Sequence, residues 1–213
     1  MILGKLKLFP VLLCLCHAEI IDRIAVSVGN QVITEAQISD EIRITAFLNN
    51  QEPDLSQAFK KAAAERLVEQ TLVRREMEVG HFPLPDLSEA EPLEEELQTK
   101  YGSSAGFNQE LSRARITQSD LKQHLLWQLT LLRFIDYRFR PSVQIQDSAI
   151  KDYYSKQRAE WEQRGDKPIP SLEDSRAAIE KILIEQRVDA AMDRWLGDSR
   201  TRIEILYRKE AFE

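Results

Sequence analysis

A chain of 213 residues that is 43% hydrophobic can bury one substantial core or two small ones, and nothing in it forces two independent domains. Its net charge of −6, from 35 acidic against 29 basic residues, leaves no dominant basic face and argues against nucleic acid as a partner. Seven glycines and eight prolines, spaced as punctuation, make the chain read as helices with short joints.

Residues 1–18 have the layout of a secretory signal: Lys5 and Lys7, an apolar run from Leu6 to Cys16, and the small residues Cys16 and Ala18 ahead of a cut after Ala18. The run is short and carries Pro10, which argues against a stable spanning helix, so no stable membrane insertion is expected once the signal is gone. Cleavage removes Cys14 and Cys16, the only cysteines, and two lysines with them. The mature chain, residues 19–213, is then more acidic still. It must hold itself together by packing without disulfides in an oxidising, extracytoplasmic compartment.

The stretch Asp22 to Glu41 carries the strongest local signal. Ile24, Val26 and Val28 alternate with Arg23, Ala25 and Ser27, Gly29-Asn30 supplies a turn, and Val32-Ile33 starts a return strand. Thr34 and Gln37 are spaced as a capping box opening a helix from Glu35 to about Asn49, with Ile38 and Ile42 on its apolar stripe. A lone hairpin is marginal in water, so it needs a third strand or a helical face. The comparable candidate is at the far end, Arg202 to Arg208, where Ile203, Ile205 and Tyr207 alternate with polar and outer positions. The two ends of the chain are therefore expected to meet.

A second helix is predicted from Asp54 or Ser56 to Gly80, with Phe59, Ala63, Leu67, Leu72, Val73 and Met77 on a mixed apolar face. His81-Phe82-Pro83-Leu84-Pro85 is a joint, because each proline restricts the residue before it. An acidic third helix follows from Ser88 to about Tyr101, and its run Glu94-Glu95-Glu96 reads as a solvated face. A short helix spans about Ala105 to Ala114. Thr117 to Asp120 then caps a long helix, Gln118 to Arg138, roughly 30 Å in length.

That helix has two apolar stripes. Leu121, Leu125, Leu129, Leu132, Ile135 and Phe139 form one, and Trp127, Leu131 and Phe134 form the other. Either it is covered on more than one side, or one side is kept for a partner. The second stripe, Trp127, Leu131 and Phe134, is the candidate surface for gripping apolar segments of another chain. Beyond Pro141, Asp147 is placed as the cap of a helix holding Ile150, Tyr153, Tyr154 and Trp161. After the loop 164–171, Ser171 caps a last helix running to about Leu196, with Ile179, Val188 and Trp195 facing a core.

No catalytic constellation emerges. GxSxG, HExxH, CxxC and the glycine patterns that cradle phosphates do not occur, and the mature chain has no cysteine. His81 lacks a close second ligand, and His124 reads as a core-edge or surface histidine. No metal and no cofactor is expected.

The order of pieces nonetheless resembles a known family. DRIAVSVGNQVITEAQISDEI, residues 22–42, resembles the start of the SurA-like periplasmic chaperones and related parvulin-type prolyl isomerases. QIQDSAIKDYYSKQRAEW, residues 144–161, looks like the segment before their isomerase domain, and residues 170–206 are similar to the helix and strand that return to the N-terminal part. The resemblance implies a mainly α fold with a small terminal β-sheet, a helical chaperone module closed by the N-terminal hairpin and the C-terminal strand. Within 19–213 its N-terminal part would be 19–140 and its C-terminal part 141–213.

Where such proteins commonly insert a parvulin domain of about a hundred residues, this chain has only 162–170. The resemblance therefore implies a non-catalytic, ATP-independent holdase whose partners are unfolded polypeptides, outer-membrane or secreted. The alternative is an adaptor subunit that uses the same groove for one folded partner.

Overall fold

A computed structural model describes residues 22–213; the signal and its cut after Ala18 lie outside them. The two ends of this span do meet. Strands β1 (Ile24–Val28) and β2 (Gln31–Thr34) form the hairpin, and β3 (Ile205–Tyr207) pairs antiparallel with β1, giving a three-stranded sheet in the order β2-β1-β3. Gly29 turns the hairpin at φ +57°, a conformation other residues adopt only under strain, and its N–H donates to the Glu204 carbonyl at 2.9 Å. Arg208 N–H donates to the Ala25 carbonyl at 2.8 Å.

Strict alternation fails at one point. The β1–β2 register slips between Ile24 and Val26, so Ala25 and Val26 both turn inward while Ile24 is left half in solvent. An extra residue in one strand does this by shifting every later side chain to the opposite face.

The remainder is helical: α1 (Glu35–Leu48), α2 (Gln57–Val79), a 3-10 turn at Leu87–Ala90, α3 (Glu91–Thr99), α4 (Ser104–Ala114), α5 (Gln118–Arg138), α6 (Asp147–Arg164) and α7 (Leu172–Arg202). The capping box at the start of α1 forms in both directions, Gln37 N–H to Thr34 Oγ1 at 3.3 Å and Thr34 N–H to Gln37 Oε1 at 2.9 Å. Thr117 and Asp120 repeat it on α5. Three expectations move. Gln146 takes the N-cap place of α6 and Asp147 its first turn; the acidic helix starts with a 3-10 turn; and α7 continues through Gly197 to Arg202. Gly197 has open space about it, and its cost in a helix, about 1 kcal/mol, is small beside the packing of Trp195 and Leu196 just before it.

Three apolar clusters join these elements. The sheet, α1 and α2 enclose Val26, Ile38, Val68 and, from the C terminus, Ala211 and Phe212. Phe47 of α1, Phe107 and Leu111 of α4, and Leu121 and Leu125 of α5 make the second. Val73 and Met77 of α2, Trp127 and Phe134 of α5, Phe139, and Val188 of α7 make the third. Leu121 and Leu125 of the first stripe thus face the second cluster, while Ile135 and Phe139 at its far end join Trp127, Leu131 and Phe134 of the second stripe in the third. Helix α6 packs chiefly along α7, and Ile150 is its one fully buried residue.

Some residues depart from their expected surroundings. Phe59 and Leu132 are exposed, not facing a core. Glu94, in the run read as solvated, is buried and accepts from the Gln118 amide, while Glu95 and Glu96 stay in water. With Lys122 on Glu91 at 2.8 Å and Arg133 on Glu89 at 2.6 Å, this fastens the acidic segment along α5.

Candidate apolar cleft between α2 and α5

The second stripe of α5 does not form an open groove. Phe134 is 3% exposed and meets Phe82, Phe139 and Trp195 edge-on at ring separations of 5.7, 6.1 and 6.3 Å. Leu131 packs against the same cluster. Phe134 is held in the interior and Leu131 is partly buried because α2 on one side and α7 on the other cover that face. Trp127, 6% exposed, is the member of the trio that reaches a cavity.

That cavity, of about 350 Å³, opens between the C-terminal half of α2, the joint 81–85 and α5. Met77, Leu126 and Trp127 form its apolar walls, with Phe82, Leu84 and Pro85 arching over from the joint. Helix geometry puts Gln123, Trp127 and Thr130 on one side of α5, and Arg74, Met77 and Glu78 on one side of α2, so the two faces oppose each other across the opening.

The joint is shaped by how α2 ends. Phe82 N–H donates to the Met77 carbonyl at 2.9 Å and His81 N–H to the Glu78 carbonyl at 3.2 Å, the double closure of a Schellman turn. The left-handed position in it belongs to His81, at φ 51°, not to Gly80. Phe82 is thereby folded back onto Phe134 and onto Tyr137, whose ring lies 5.5 Å away. The rim is open at Leu84, 69% exposed, and Tyr137, behind Phe82, is 71% exposed.

Arg74 supplies the cleft's charge. Its guanidinium carbon stands 4.1 Å above the centre of the Trp127 ring, a cation–π contact. Burial lowers its pKa, and the charge of Glu78 opposes that. Part of the side chain remains in solvent.

A second polar cluster lies deeper. Glu41 is 7% exposed, accepts from Arg66 Nε at 3.2 Å and from Thr45 Oγ1 at 3.5 Å, and faces His124 Nδ1 at 3.5 Å. Burial works to raise its pKa, but hydrogen bonds and charge from His124 and then Arg66 outweigh it and hold the carboxyl below its ordinary value. This cluster ties α1, α2 and α5 together. Among the described residues no group of three or more His, Cys, Asp and Glu is arranged to hold a metal ion, and no described helix is long and apolar enough to cross a membrane.

No family model matches the chain, and no curated protein matches it. The functional reading rests on the cleft and on the sequence. The residues missed there, Arg74, Phe82, Leu84, Pro85 and Leu126, left one visible trace: apolar residues between prolines in HFPLP, where no helical stripe accounts for them.

Proposed function

We propose that this protein is a non-catalytic, ATP-independent chaperone that acts after export and holds apolar segments of unfolded outer-membrane or secreted polypeptides. The observation that carries the reading is the cleft between α2 and α5, an apolar hollow with exposed Leu84 on its rim and exposed Tyr137 beside Phe82. Contacts of this kind contribute roughly 25 cal/mol per Å² of apolar surface covered, so several weak ones suffice without an energy source. The resemblance of residues 22–42 and 170–206 to SurA-like proteins points the same way. On that resemblance a parvulin domain would be inserted between Trp161 and Ser171, where this chain has only the end of α6 and a short connection to α7.

The test is suppression of aggregation of an unfolded β-barrel client by the purified mature protein. Suppression at several-fold molar excess supports the reading, and none at that excess contradicts it. One observation favours the adaptor instead: Phe134 is enclosed and Leu131 partly covered, so the binding surface is one bounded cleft and not a broad groove. Capture from periplasmic extract separates the two, since an adaptor retains one stoichiometric partner and a holdase many.

A further inference from the structure

The apolar wall of the cleft runs directly into Arg74, a cation that feels the charge of Glu78 on the same helix but is bridged to no carboxylate. Among the described residues no carboxylate oxygen comes within 4.0 Å of Arg74. By contrast Arg66 is paired with Glu41 at 3.2 Å, Arg133 with Glu89 at 2.6 Å and Arg200 with Glu65 at 2.8 Å. The Trp127 ring occupies one face of the Arg74 guanidinium, 4.1 Å away. A ring under the face leaves the N–H donors in the plane to find acceptors, and a carboxylate matches two of them at once.

We propose that the cleft takes the C-terminal residue of a polypeptide, with its apolar side chain between Met77, Phe82 and Trp127 and its α-carboxylate on Arg74. This deepens the client-binding reading and rests on it. A volume of about 350 Å³ lies at the small end of ligand sites and suits one large side chain rather than a long segment. In a chain terminus the apolar side chain and the carboxylate leave the same carbon, so the two are side by side, as Trp127 and Arg74 are. In an acidic side chain the charge sits at the tip, where this cleft is apolar. Glu78, one turn along α2 from Arg74 and lining the same cleft, is an acceptor for the terminal residue's amide N–H. A fatty acid shares the pairing of apolar group and carboxylate but has no such N–H to give.

The experiment measures binding of short labelled peptides to the full protein by fluorescence anisotropy: one ending in phenylalanine with a free carboxylate, the same peptide amidated, and one with the phenylalanine moved to the middle. The free acid is expected to bind at least about ten-fold more tightly than either of the others. Arg74→Gln should bring the acid down to the level of the amide and leave the amide unchanged, and Arg74→Lys should fall between. Equal, measurable binding of acid and amide by the native protein overturns the terminus and leaves the apolar-segment reading standing. Absence of binding by any of the three overturns both. Tighter binding of decanoate than of the peptide acid overturns the polypeptide end in favour of a lipid carboxylate.

Discussion

Tyr207 donates its hydroxyl to Glu65 Oε1 across 2.7 Å, joining residues 142 apart in the sequence. Arg200 holds the same carboxylate at 2.8 Å and Glu69 at 3.1 Å, so the end of α7 and strand β3 are both fastened to α2. Beneath these contacts Phe212 is buried in the core that the hairpin covers. The far end of the chain therefore completes the N-terminal sheet.

Deleting residues 203–213 removes β3 and takes Ala211 and Phe212 out of the first core. Urea unfolding followed by circular dichroism is expected to lose its cooperative transition. Phe212→Ala alone should cost about 3–5 kcal/mol. A truncated chain that melts like the parent would contradict the closure.

Burial, and then the hydrogen bond to Glu65, push the Tyr207 phenol from 10.0 up to about 12. A value raised in the folded state stabilises fully below the unfolded value and is lost as pH rises from 10 through 12. Tyrosinate absorbance should show a residue ionising near 12 that is missing from Tyr207→Phe. The variant's stability should also fall less over that window.

Glu41 shifts the opposite way, so its sign reverses. With the folded value below 4.5, its contribution is complete above that pH and is lost as pH falls through the folded value. Glu41→Gln should cost about 1–3 kcal/mol at neutral pH and flatten the decline of stability on acidification. Denaturant midpoints measured across the acid range give both numbers.

Substitutions at the cleft should separate stability from binding. Phe134→Ala empties an enclosed site and should cost about 3–5 kcal/mol. Leu84→Ser, on the open rim, should alter stability by no more than about 0.5 kcal/mol and yet weaken client binding several-fold. Thermal melts and aggregation suppression on the same two variants check this.

Much of the fold was legible because its signals are local. The Thr34 and Thr117 capping boxes, the turn at Gly29 and the breaks at the prolines each depend on residues a few positions apart. Period alone also announced that two faces of α5 carry apolar stripes. It did not say what covers them, because Val73 on α2 and Val188 on α7 lie far off in the chain. Glu94 was read as part of a solvated face, and nothing marked Glu41 as buried, for the same reason. Arg66 and His124, and Gln118 for Glu94, approach only once the helices have packed. The cleft was the least legible feature. It is made by a chain reversal at His81, and a left-handed histidine after a glycine leaves no periodic mark.

The central claim is that the α2–α5 cleft is the surface that meets a client. Photoreactive residues placed singly at Leu84, at Tyr137 and, as a control on the exposed face of α6, at Glu160 test it directly against an unfolded client. Adducts from positions 84 and 137 that are displaced by excess unlabelled client, with few from 160, are the predicted result. Adducts mainly from 160, with none from 84, would contradict the account.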